Sequence, residues 1–307
     1  MTEDHLNGSK GGSGKIIGSA LGAIMFFTML FCAFFLSSEI SSYAYGALYT
    51  CATVIIPSVF PFALISDAIV SALTFRMDKH SGTANAMIAV ALGIVCGFPI
   101  AASVGSRLYD NGTVSRDTLE KCIAFGSIPS LPFCTAVIGG RMLSEERYGI
   151  YLWIILACCS FIMLFITGGV SKENHYYDVN SRQNYTFVSS VSKCAMNAIN
   201  VCAFVTAFSI PCGFICKYVD NVLLRATLVS LLEVTSACGA ISSSAMPPKI
   251  RFAAIAFTCA LSGASVLCQV FTVCGKYGIK KRRYCALKII YALCVLLVCA
   301  CAVPFIY

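Results

Sequence analysis

The sequence predicts an all-α polytopic membrane protein with about nine membrane-embedded segments, several of them broken or re-entrant. Three observations carry that expectation. The chain is 58% hydrophobic and only 12% charged over 307 residues, whereas a soluble domain carries about 25% charged side chains. Its mean hydropathy is +0.81, and long apolar runs alternate with short polar loops. The third observation is punctuation between Ile56 and Phe133, by IPSVFPF (Ile56 to Phe62), IVCGFPIAA (Ile94 to Ala102) and AFGSIPSLPF (Ala124 to Phe133). Proline removes a backbone donor and clashes with the preceding turn, so each of these helices must bend or break. In lipid, the freed backbone groups are tolerable only where protein or a water-filled cavity satisfies them. The interruptions therefore predict a cavity near the middle of the bilayer.

Taken in order, residues 1–15 are polar and Gly-rich and read as a disordered tail. Ile16 to Ser38 carries no charge and is long enough to cross about 30 Å of hydrocarbon. A cleaved signal peptide is the rival reading, disfavoured by the length of the run and the lack of a clear small-x-small site. Apolar segments follow near 46–74, 84–106, 122–140 and 149–169. A polar loop at 170–186 then separates a first membrane half, 16–169, from a second, 187–307. The second half holds segments near 187–216, 222–240, 252–275 and 285–306. Those at 84–106 and 222–240 also suit re-entrant hairpins. If all nine cross, the N-terminal side holds the larger share of Lys and Arg, including the run Lys280 to Arg283. The positive-inside rule then makes that side cytoplasmic.

The halves show weak internal similarity. CGFPIAA followed by AFGSIPSLPFCTAVIG in the first is matched by LLEVTSACGAISSS followed by AFTCALSGASVLCQVFTVCG in the second. Duplicated halves with matching interruptions are the sequence pattern of a transporter-like site. Chance similarity between apolar segments is the rival explanation.

The net charge of +8 resides in short inter-span loops and does not point to nucleic acid. Most of the nineteen cysteines lie within apolar runs, where Cys behaves as a small hydrophobe. With no C-x-x-C pair and three scattered histidines, no metal or redox site is expected. No nucleophile–base set and no Walker loop is present, so neither an enzyme nor a bound cofactor is expected.

Glu233, inside VLLRATLVSLLEVTSACGA, is the leading functional candidate. An ionisable group at that depth is costly and marks a site by default. It could bind a proton or cation, hydrogen-bond a substrate, or serve as a structural carboxyl paired with Arg225 or the backbone. Asp67 is a weaker candidate, equally readable as a helix-end charge. Ser127, Ser130, Thr235, Ser262, Ser265 and Gln269 are the polar groups at the interruptions, beside Gly97, Gly263, Pro129 and Pro132. They suit a small polar ligand, although such residues also join membrane helices to one another. Asn197 and Asn200, three apart on one helix, extend the set. A half-helix that begins inside the membrane also aims unpaired N–H groups and a positive dipole end at the cavity. That favours anionic ligands, and no cation lies within the interrupted motifs.

The motifs PSVFPFALIS, CGFPIAA with RLYDNGTVSRDTLEKCIAF, SIPSLPF, SLLEVTSACGA and LSGASVLCQ come in order between Ile56 and Lys288. Together they resemble the sporulation integral membrane proteins of the YlbJ (SpoVV) type, which carry the nucleoside-recognition Gate domain. The chain departs from that family in having Gly126 and Ser127 in place of an Asn-rich segment, Phe98 before Pro99, and a shorter length. The resemblance implies a Gate-like fold, related to concentrative nucleoside transporters, in the membrane around a developing spore. It also implies a permease moving dipicolinic acid, a small aromatic dianion, toward that spore. Glu233 would then be protonated or cation-paired during transport, with a proton or cation as a coupling partner. A nucleoside-type ion-coupled permease and a non-transporting scaffold for other sporulation membrane proteins are the alternatives.

Overall fold

The computed structural model describes residues 34–74, 82–167 and 186–306. The 1–15 tail, most of the first apolar run and the polar loop up to residue 185 lie outside the described residues. Everything described is helix, turn or short connection, with no strand among the described residues. Among the same residues, five helices are long and apolar enough to cross a membrane: Ser37–Ile69, Glu146–Ile166, Phe187–Tyr218, Pro248–Tyr277 and Lys281–Pro304. The protein is thus a helical integral membrane protein, and the part from Ala47 to Tyr307 is one compact unit.

Helix α1 (Ser37–Thr50) passes through a wide π turn, Cys51–Ile55, into α2 (Ile56–Thr74). The break expected at IPSVFPF does not occur. The Ile56 N–H reaches back five residues to the Cys51 carbonyl. Widening the turn just ahead of Pro57 accommodates its ring and missing donor without ending the helix. Pro61 likewise lies inside α2.

The other two expected interruptions are real. Helix α3 (Gly82–Cys96) stops at Gly97-Phe98-Pro99 before α4 (Ile100–Asp110). Helix α5 (Arg116–Gly126) stops at Ser127, and a π-helical segment begins at Phe133–Met142. Helix α6 (Glu146–Ile166) closes this part of the chain. After α7 (Phe187–Tyr218), two more broken segments follow. Helices α8 (Val222–Leu232) and α9 (Val234–Ser242) part at Glu233, and α10 (Pro248–Leu261) and α11 (Gly263–Cys274) part at Ser262. Helix α12 (Lys281–Ile306) is last. The order long helix, broken segment, broken segment, long helix therefore occurs twice.

Two glycines set how closely the breaks approach. Gly97 has φ +81, and a Cβ there would lie 2.8 Å from the Ser130 nitrogen, so the first break is seated on the second. Gly263 has φ +66, and its Cβ would lie 3.1 Å from the carbonyls of Leu232 and Ser230, so the fourth is seated on the third. Gly97→Ala should lower stability by about 1–3 kcal/mol through backbone strain plus overlap. Gly112, with φ +67 and nothing near its would-be Cβ, isolates the strain alone. Thermal unfolding of the two alanine variants in detergent should show the larger loss at Gly97.

Protein groups satisfy carbonyls that the breaks release, as the hydrocarbon setting demands. Trp153 Nε1 donates to the Ile94 carbonyl at 3.0 Å. Ser160 Oγ donates to the Phe125 carbonyl at 2.8 Å and is 3.1 Å from the Tyr291 hydroxyl. Both bonds tie a break to a long helix.

At one end of the fold, α5 is joined to the start of α12 by ion pairs. Arg283 pairs with Asp117 and with Glu120 at 2.9 Å, and Lys121 meets Asp117 at 2.6 Å. Burial opposes the Asp117 charge, yet the hydrogen bonds from Lys121 and Arg283 outweigh it and hold the carboxyl below its ordinary value of 3.8. A carboxyl depressed in the folded state contributes stability above its unfolded pKa and loses it as pH falls through the folded value. The melting midpoint of the detergent-solubilised protein should fall below about pH 4, and Asp117→Asn should flatten that dependence.

Candidate functional site

The interruptions enclose a cavity of about 50 Å³. Gly97 and Phe98 come from the first break, and Pro129, Ser130 and Phe133 from the second. Glu233, Val234 and Thr235 come from the third, while Val266 and Gln269 come from α11 after the fourth. Ile55 and Val59, packed in one cluster with Val201 and Val205 of α7, complete the walls. Mostly apolar walls with a few convergent polar groups are the usual make-up of a small-molecule site. At roughly 10–15 Å³ per water, the space holds a few waters or an ion, so a ring-sized solute requires the site to widen.

Glu233 is the polar centre. It is 2% exposed, and its carboxylate folds over the start of α9. Oε1 accepts from the Thr235 N–H at 2.9 Å and Oε2 from the Ser236 N–H at 2.6 Å. Of the two structural pairings open to Glu233, Arg225 or the backbone, the backbone describes the geometry, with those two N–H groups donating to it. The carboxylate occupies the positive end of the half-helix dipole. The N-terminus that the sequence offers to an anionic ligand is therefore already filled by the chain's own carboxylate. The Thr235 and Ser236 side chains also hydrogen-bond to the carboxylate, so a proton, a cation or a donor on a solute would share it with them.

Gln269 lies in the same wall and is 4% exposed. Its Nε2 donates to Ser265 Oγ at 3.2 Å, whereas its Oε1 is buried without a hydrogen-bond partner. Ser265 is thus a support for Gln269 and does not line the cavity. Ser130 Oγ accepts from the Phe133 N–H at 3.4 Å, capping the π-helical segment at the cavity edge. Gly97, Ser130, Glu233, Thr235 and Gln269 are accordingly brought together, and the polar edge they form is rich in acceptors.

Ser127 and Ser262 are placed elsewhere. Both are fully buried and belong to a cluster around Lys288 of α12. Lys288 Nζ donates to the Ser127 carbonyl at 2.5 Å, to Ser262 Oγ at 2.9 Å and to the Ala260 carbonyl at 3.3 Å. Ser262 Oγ in turn reaches the Ser127 carbonyl at 3.3 Å. Here backbone carbonyls, freed by the second and fourth breaks, are the groups that matter. Asn197 lines a second, smaller cavity beside Asp67. Asn200 lines neither, because the stripe of α7 that faces the cavities runs Asn197, Val201, Val205 at intervals of four, which turns Asn200 aside.

Sequence reasoning passed over Lys288, and the signal was available: a lone cation in the apolar run YCALKIIYAL is unusual enough to flag. No family model, no curated protein and no solved structure matches this chain.

Proposed function

We propose that the protein is a proton- or cation-coupled membrane permease whose solute passes the Glu233 cavity. The observation that supports this most is the gathering of three helix interruptions and the half-helix α11 around one buried carboxylate. Irregular backbone inside a membrane protein is tolerated where it lines a cavity, and paired interrupted helices are the transporter arrangement. The twice-repeated element order fits two related halves meeting at that site. By the likeness of its motifs to the sporulation family, the first solute to try is a small carboxylate, dipicolinate, moved toward a developing spore. An acceptor-rich edge would repel a bare dianion, so the coupling proton or cation at Glu233 compensates its charge.

A second reading draws on Gln269. Its unpartnered Oε1, with Glu233 nearby in the same wall, suits a neutral solute carrying N–H or O–H donors, such as a nucleoside. Uptake into liposomes of the full-length protein decides between them. Saturable flux of dipicolinate supports the first and flux of a nucleoside alone supports the second. Failure of both, with the protein folded, leaves the scaffold role in which Lys280 to Arg283 would matter instead.

A further inference from the structure

A second cavity, of about 20 Å³, is bordered by Asp67, Arg107, Lys193, Ser66, Ser103 and Asn197. It draws on the same three elements as the first. From the π turn along α2 the stripe runs Ile55, Val59, Ala63, Asp67; from the first break along α4 it runs Phe98, Ile100, Val104, Arg107; on α7 it runs Val205, Val201, Asn197, Lys193. From Ile55 to Asp67 is twelve residues, about 18 Å along a helix at ~1.5 Å per residue. The small cavity therefore lies along the same stripes as the large one, nearer the ends of the helices.

Among the described residues its lining carries two cations and one carboxylate. Asp67 Oδ1 accepts from Arg107 at 2.7 Å, and Oδ2 accepts from Ser190 Oγ at 2.5 Å. Lys193 Nζ is third in line, 3.5 Å from the oxygen that Arg107 already holds, with its side chain 44% exposed. Two cations thus face one carboxylate whose oxygens are engaged, and the remaining lining residues are neutral. The Ser103 hydroxyl is buried without a hydrogen-bond partner, a further donor on the same wall.

We propose that Arg107 and Lys193, braced by Asp67, form an outer binding site for small carboxylates on the way to the Glu233 cavity. The proposal rests on the permease reading and supplies what the inner cavity lacks, a cationic group for an anionic solute. Arg107 is the fixed part, held by Asp67, and Lys193 is the part that turns to the incoming carboxylate. Charge attraction at such a site raises the local concentration of an anion and weakens with salt.

The test is equilibrium binding and uptake of radiolabelled pyridine-2,6-dicarboxylate, using full-length protein in liposomes of zwitterionic lipid, with and without added anionic lipid. Lys193→Gln should weaken binding and raise the half-saturating concentration about three- to tenfold, with the maximal rate little changed. Lys193→Arg should restore both. Nucleoside uptake by the same variants, if present, should not respond. Unaltered affinity in Lys193→Gln overturns the outer site even when flux of the wild type supports the permease reading. A response to the variant seen only with anionic lipid present identifies a lipid headgroup site and also overturns it. Absence of any dicarboxylate binding by folded wild type does the same, and uptake of a nucleoside alone would then leave the permease reading standing without this site.

Discussion

Glu233→Gln should cut solute uptake about tenfold or more, the scale of losing one charge-assisted hydrogen bond, while leaving the protein folded. Glutamine keeps one oxygen to accept from the start of α9, so part of the cap described by the Thr235 and Ser236 bonds survives. What it loses is the charge and the ability to take up a proton. The comparison variant is Glu233→Asn, since asparagine is a good helix cap without a charge. If both variants run as monodisperse protein in detergent, melt near the wild type and fail in uptake, the carboxylate acts on the solute or its coupling ion. If Glu233→Gln transports at the wild-type rate, Glu233 is a cap and nothing more, and the proton- or cation-coupled reading fails with it. Uptake driven by an imposed pH or sodium gradient identifies the coupling ion in the same preparation.

Lys288→Ala should lower stability by about 2–4 kcal/mol, a larger loss than Gly97→Ala. The ammonium serves the Ser127 and Ala260 carbonyls and the Ser262 hydroxyl at once, so its removal strips those carbonyls of a donor in a water-poor interior. It also leaves a void where its stem packed. Lys288→Met separates the two effects, because methionine replaces most of the stem and none of the hydrogen bonds. The expected order in thermal melts is wild type, then Met, then Ala. A methionine variant more stable than wild type would mean that the cost of burying the charge exceeds the gain from its bonds, which is known for buried charges elsewhere. Because Lys288 ties the second break to the fourth, uptake should fall with either variant even where stability is kept.

How much of this was legible in the sequence differs between residues. The apolar runs announced the helices, since in a bilayer only a helix or a closed barrel can satisfy its own backbone. The interruptions at Gly97 and from Ser127 to Pro132 were also legible, because Gly and Pro act on the chain locally. Pro57 and Pro61 show the limit of that local rule. The wide turn at Cys51–Ile55 absorbs Pro57, and no residue type in the sequence declares that a π turn will form. Glu233 stood out as a charge in an apolar run that also suited a broken or re-entrant segment, but its seat over the α9 N-terminus did not, since no Pro or Gly beside it marks the break at Glu233 itself.

Sequence by itself thus determined the class of the protein, the positions of its apolar helices and the leading candidate for the centre of its chemistry. These are properties of local composition, and local composition fixes where a chain can enter lipid. Tertiary structure decided which polar residues meet. It put Gly97, Ser130, Glu233, Thr235 and Gln269 at one cavity, moved Ser127 and Ser262 to Lys288, and set Asn197 beside Asp67, Arg107 and Lys193. The physical reason is that each break lets two short helices point in different directions. Residues adjacent in sequence then part company, and partners more than a hundred residues away take their place.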